Sequence, residues 1–286
     1  MKFFNGLDND LKNVLLAQLR NLWTHNSTAL EGNTLTLGET AFVLEEGLTV
    51  SGKSLKDHEE IVGHARAIDL IYALVNQTRE VTEQDLFELR KAVQIEYVAD
   101  IYKPVGNWKT EPNGTYVVEE SSANHNQKQI YLAYAEPVDV PVLMKQWLRE
   151  LNMVLSADYD AMGYDEKGLE QLVAIYANLH VSFVRIHPFF DGNGRMARLL
   201  ANLPVLKAGY PPITIQKENR REYIQLLSRY ELAVGQPKIN DEWLPPHKAL
   251  EEFKVFCKTS WQASIKIVDE IKGVVQARHS SCRTEN

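Results

Sequence analysis

Apolar residues recur along most of this chain at the spacing of one helix face. Between residues 8 and 22 they fall at Leu11, Val14, Leu15, Leu19 and Leu22, which predicts a helix with one buried stripe. Asn26, Ser27 and Thr28 then offer caps for a second, short helix through Glu31, closed by Gly32. Further helices are expected over 36–46, stopped by Gly47, over 56–77, and over 81–93, where Thr82 and Asp85 form a variant capping box. The pattern changes over 101–119. Trp108, Tyr116, Val117 and Val118 flank Pro112-Asn113-Gly114, a strong hairpin signal, because both central positions of such a turn take positive φ. Residues 124–129 read as polar loop.

Helical spacing returns over 140–153 and 167–186. The second stretch is apolar almost all round, so it is the expected central helix. Pro188 ends it near His187, since a residue before proline avoids helical dihedrals. The next helix is expected from Gly194 to Lys207, stopped by Gly209 and Pro211-Pro212. Helices over 218–234 and 247–276 complete the pattern, with a frayed tail over 280–286. The fold class is mainly α, with one β-hairpin.

Composition narrows the function classes. The formal net charge is −7, so the chain lacks the surplus of Lys and Arg that non-specific nucleic-acid binding needs. The two cysteines, Cys257 and Cys282, form no CxxC pair, which argues against a disulfide scaffold and a structural zinc site. No stretch approaches the roughly 20 apolar residues of a membrane span, and no signal peptide is evident. The expectation is a soluble, cytoplasmic protein without nucleic-acid or membrane partners.

The candidate chemistry lies in His187-Pro188-Phe189-Phe190-Asp191-Gly192-Asn193-Gly194-Arg195-Met196-Ala197-Arg198. Gly192-Asn193-Gly194 leads into a helix, where inward-facing N–H groups and the helix dipole favour an anion. Arg195 and Arg198 are three apart and share a face. Two arginines beside a glycine nest suit a polyphosphate. Asp191 is a natural Mg²⁺ ligand at the lip, and His187 can take a proton from a hydroxyl. A metal-hydrolase reading of His187 and Asp191 lacks a third ligand. His180 reads as a core histidine.

This stretch resembles the Fic signature, His-x-Phe-x-(Asp/Glu)-Gly-Asn-Gly-Arg-x-x-Arg, at every fixed position. Residues 198–203 and 208–215 also resemble segments downstream of the motif in AMP-transferring members. The resemblance implies a Fic-type helical bundle with a hairpin flap, divided into N-terminal helices (1–50), a core (51–235) and a C-terminal helical extension (236–286). It implies His187 as general base, Asp191 as ligand of Mg²⁺, and Gly192, Asn193, Gly194 and Arg195 as cradle for the phosphates of ATP. Arg198 would take the γ-phosphate and Asn202 would contact the adenosine. Gly194 favours AMP transfer over the kinase branch of the family. Asn107, Trp108, Lys109 and Thr110 resemble the start of the flap that docks a protein target.

Ser27-Thr28-Ala29-Leu30-Glu31-Gly32 matches the family's inhibitory pattern, (Ser/Thr)-x-x-x-Glu-(Gly/Asn). Ser27, Glu31 and Gly32 would then belong to a brake in which Glu31 pairs with Arg198, and Glu31 would also serve removal of AMP. The implied partner is a protein carrying a Ser, Thr or Tyr hydroxyl. A homodimer fits the family's habit. Phosphocholine transfer and a non-catalytic nucleotide-binding regulator are the alternatives, and the segment after Asn240 is too short for a usual winged-helix domain.

Overall fold

The computed structural model describes residues 2–94, 106–120, 127–159, 166–242 and 244–284. The elements are α1 (Asn9–Ala29), α2 (Leu37–Glu46), α3 (Leu55–Val75), α4 (Glu83–Val93), β1 (Gly114–Glu120), β2 (Gln127–Ala133), α5 (Val140–Leu155), α6 (Glu166–Ile186), α7 (Asn193–Leu200), α8 (Leu203–Lys207), α9 (Arg220–Val234) and α10 (Lys248–Thr284). The chain is mainly α with a small antiparallel hairpin, as expected.

Local chemistry sets the helix ends. Thr36 Oγ1 accepts from Glu39 N while Glu39 returns a bond to Thr36 N, and Thr82 and Asp85 form the same reciprocal box. Gly47 closes α2 in the left-handed conformation. Each box removes two unpaired N–H donors from a helix start.

Helix α6 is the centre of the bundle, with α5, α7 and α10 packed around it. Its Leu172, Tyr176 and Phe183 are fully buried. Trp147 of α5 packs edge-on to Phe183, and its indole N–H donates to Leu179 O and Ser182 Oγ. Burying side chains of this size stabilises the fold by about 1.5–3 kcal/mol each. Gly63 lets α3 approach the last turn of α4, because a Cβ there would collide with Ala92 O. That approach places the end of α4 beneath the loop between α6 and α7.

Several expected boundaries move. Residues 26–31 do not form a separate helix, because α1 runs unbroken to Ala29. The polar groups that look like caps serve other partners: Asn26 Oδ1 accepts from Lys217 N, and Thr28 Oγ1 donates to Thr24 O. The expected 194–207 helix is two, α7 and α8, with Pro204 in the first turn of the second. Asn113-Gly114 is not the hairpin turn. Gly114 starts β1 and pairs with Ala133, and the pairing runs to Glu120 opposite Gln127. Residues 127–129 are therefore strand, not polar loop. The expected segments 101–105 and 124–126 lie outside the described residues. Helix α10 continues through the expected tail to Thr284.

Candidate active site

His187 comes directly after the last residue of α6. Its N still donates to Phe183 O at 2.9 Å, but its own φ is 50°, the one non-glycine residue with positive φ among those described. Nδ1 lies 3.1 Å from Val184 O. A carbonyl only accepts, so Nδ1 carries the hydrogen and Nε2 keeps a lone pair. Tyr134, just beyond β2, stacks flat on the imidazole, with centroids 3.7 Å apart and an interplanar angle of 1°. Burial pushes the His187 pKa down to about 3. The charge of Lys109 acts in the same direction, while the Val184 bond and Asp191 oppose it.

The loop after Pro188 is stapled by one amide. Asn193 Oδ1 accepts from Phe189 N at 2.9 Å and Nδ2 donates to Phe189 O at 2.8 Å. The Asn193 side chain therefore shapes the turn, and its backbone N–H is what it offers a ligand. Gly192, with φ 78°, is the N-cap of α7, and no side chain caps that helix. The first N–H groups of α7 have no acceptor among the described residues, which leaves an anion site at a helix start.

Charged groups surround it. Asp191 Oδ1 accepts from Gly192 N, and the side chain is 70% exposed. Arg195 is buried, with Nη1 donating to Val93 O at 3.1 Å and Nη2 3.8 Å from Asp191 Oδ2. Arg198 is buried deeper and its fork is occupied. Nη2 donates to Glu31 Oε1 at 2.7 Å and to Ser27 O at 2.9 Å, Nε to Ser27 Oγ, and Nη1 to Tyr223 OH at 3.3 Å. Tyr223 OH also meets His180 Nε2 at 3.1 Å. Burial alone would lower the Arg198 pKa, but Tyr223 and Glu31 more than offset it and hold the guanidinium above its usual value.

The end of α1 is tied in place by α9. Arg220 Nε donates to Leu30 O at 2.7 Å, and Gly32, with φ 101°, turns the chain out of the helix. The Glu31 carboxylate then lies over Gly194: a Cβ on Gly194 would come within 2.7 Å of Glu31 Oε1. The structure thus brings Ser27, Glu31, Gly194 and Arg198 together.

Asn202 and the start of the flap have partners inside the fold. Asn202 is fully buried, with Nδ2 donating to Arg198 O and Ile213 O and Oδ1 accepting from Ile213 N. Its amide joins α7 to the 213 segment. In the flap start, Asn107 and Thr110 are exposed, but Trp108 packs on Phe87 and Phe189, and Lys109 is buried. Lys109 Nζ donates to Asn113 Oδ1 at 2.6 Å, and desolvation lowers its pKa to about 8. Trp108 and Lys109 therefore anchor the flap from below. Sequence reasoning missed Tyr134 and Tyr223. Tyr223 reads only as one more apolar position of an amphipathic helix, and no motif contains Tyr134.

Four desolvated histidines make stability depend on pH. Desolvation lowers the pKa of His180 and His187 to about 3, that of His64 well below its usual value, and that of His25 below it. Unfolded, each would bind a proton below about pH 6.5. Glu231 works oppositely, since burial raises its pKa to about 7. Four protons favour the unfolded chain and one the native, so stability falls as pH drops from about 6.5 towards 4.5, by roughly 1.4 kcal/mol per pH unit for each net proton. Thermal melts across this range check it, and a constant or rising melting temperature would contradict it.

Fold and site together define a helical protein with an anion cradle at a helix start and a histidine poised before it. Residues 80–205 match the model of the Fic/DOC family. A protein named "Protein adenylyltransferase Fic" from Drosophila persimilis is 34% identical over 203 residues, 71% of this chain and 34% of the relative. Its counterpart from Drosophila ananassae is 33% identical over the same length, 35% of that relative. Among solved structures, a Fic domain containing signaling protein from Bacteroides thetaiotaomicron superposes with a TM-score of 0.73 at 28% identity, covering 94% of each chain. Fic-1 from C. elegans shares the fold, with a TM-score of 0.64 at 24% identity over 97% of this chain and 69% of that one. The chain carries a Fic domain and belongs to the Fic/DOC family. It spans about a third of the length of the curated relatives it matches. No helix among the described residues is long and apolar enough to cross a membrane.

Proposed function

We propose that this chain transfers AMP from ATP to a Ser, Thr or Tyr hydroxyl of a protein target, and that Glu31 restrains the reaction by occupying Arg198. The observation that carries the reading is His187, tautomer set by Val184 O and Nε2 free, held at the turn into an uncapped, glycine-led helix start. The names of the curated relatives support the same activity.

In this reading the first N–H groups of α7 and Arg195 bind and orient the triphosphate. Arg198, released from Glu31, holds the γ-phosphate. His187 Nε2 takes the proton of the target hydroxyl as its oxygen forms a bond to the α-phosphorus. The bond from that phosphorus to the oxygen bridging the α- and β-phosphates breaks, and pyrophosphate leaves. Positioning and charge complementarity supply most of the acceleration. Asp191 fits Mg²⁺: it is one exposed carboxylate beside a phosphate site, the donor set that ion takes when phosphates and water complete its shell. The ion would neutralise phosphate charge. The two strands pair only with each other among the described residues, so an edge is open to a target segment through main-chain bonds.

The test is to incubate the Glu31→Gly variant and protein targets with ATP radiolabelled at either the α- or the γ-phosphate. Label is expected on protein from the α position alone. Retention of γ label would mean phosphoryl transfer and would overturn AMP transfer.

A further inference from the structure

The cradle contains one cation that the proposed reaction has not used. Arg90 lies in the last turn of α4 and is 3% exposed. Its Nε and Nη1 are buried without any hydrogen-bond partner. No carboxylate among the described residues is within ion-pair distance of it. Its guanidinium sits 5.4 Å from the Phe189 ring centroid, but an aromatic face offers no acceptor to in-plane N–H groups.

Arg90 shares a slot with Arg195. A Cβ on Gly192 would come 3.8 Å from Arg90 Nε, 3.7 Å from Arg195 Nη2 and 3.6 Å from Val93 Cγ1. Both guanidinium groups therefore come within van der Waals reach of the bare glycine that caps the start of α7. Arg195 Nε is also buried and unpartnered. Desolvation lowers the Arg90 pKa to about 10, Arg195 adds to the effect, and Asp191 opposes it. Buried charges are ordinarily paired, because an uncompensated one carries a penalty of several kcal/mol. Two adjacent cations with spare donors at a helix start compound that penalty, and an oxyanion between them would remove it.

We propose that Arg90 is a phosphate-binding residue and that, with Arg195 and the α7 N-terminus, it forms a second subsite at the Asp191 end of the cradle, opposite Arg198. The ligand class is a polyphosphate, and the proposal rests on the reading of the site given above. The subsite holds phosphate oxygens on the side nearer Asp191, so Arg90 contributes to binding of both ATP and the pyrophosphate that leaves. A role limited to the contact with Phe189 would act within the fold, so its loss would lower the melting temperature and leave pyrophosphate affinity unchanged.

Calorimetric titration with inorganic pyrophosphate and Mg²⁺ tests this on the Glu31→Gly variant, in which Arg198 is free. Adding Arg90→Met is expected to raise the Kd about tenfold or more, about 1.4 kcal/mol or above. Arg90→Lys, which keeps the charge without the planar packing, is expected to bind more tightly than Arg90→Met. Arg198→Met on the same background is the reference. If Arg90→Met and Arg90→Lys bind as the parent does while Arg198→Met loses affinity, the subsite is overturned and the polyphosphate reading stands. If both Arg90 variants weaken equally, shape and not charge is at work, and the subsite is again overturned. If the parent binds neither pyrophosphate nor ATP, the polyphosphate reading falls and takes the subsite with it. Thermal melts of each variant establish that a folded protein is being titrated.

Discussion

Replacing Glu31 with glycine is expected to raise AMP transfer from ATP by about a hundredfold or more. Glu31 Oε1 lies 2.7 Å from Arg198 Nη2, inside the fork that the proposed reaction needs for the γ-phosphate. The carboxylate also covers Gly194, so it stands over the helix start where the phosphates would lie. In the proposed reaction ATP would be misaligned with it in place, and an error of about 1 Å at a reacting centre costs on the order of a hundredfold in rate. The substitution leaves Arg198 positioned, because Ser27 and Tyr223 still hold it from two other directions. The Glu31 side chain is 40% exposed and Gly32 already makes the turn, so the fold should tolerate the change. The measurement is the initial rate of label transfer from α-labelled ATP by wild type and variant, at several Mg²⁺ concentrations. Equal rates throughout would sink the brake.

His187→Ala in the same Glu31→Gly background is expected to lose about 10²- to 10⁴-fold in transfer rate, the usual contribution of a positioned general base. ATP affinity should stay within a few-fold. The imidazole donates to Val184 O and stacks on Tyr134, whereas the cradle is built from α7 and its arginines. Single-turnover rates separate the chemical step from nucleotide binding measured by calorimetry. Retained transfer within tenfold would remove His187 from proton transfer. Lost ATP affinity would instead assign it to binding.

The helix start at Thr36, the central α6 and the break at Pro188 were legible because each rests on chemistry within a few neighbouring residues. The cradle was legible for the same reason, being confined to twelve consecutive positions. The merged α1 was not. Asn26, Ser27 and Thr28 look like caps, but Asn26 and Ser27 bond to Lys217 and Arg198 far along the chain, and Thr28 bonds back to Thr24 O within α1. The hairpin was expected in kind but placed wrongly, since Gly114 is already the first residue of β1 and Asn113 instead anchors Lys109 and Phe189 O. Asn202 lies just past the motif and still spends its amide inside the fold. Arg90 gave no signal: a lone arginine on an amphipathic helix reads as solvated until the tertiary fold shows it buried beside Gly192.

The corner where α6 stops has a cost that its residue does not relieve. Glycine reaches a φ of 50° freely, whereas a side chain with a Cβ gives up on the order of 1 kcal/mol there. Histidine tolerates that corner better than most residues with a Cβ, and its stack on Tyr134 and bond to Val184 O hold it there. A glycine at the same place would relax the backbone and forfeit both contacts, so the corner balances strain against packing.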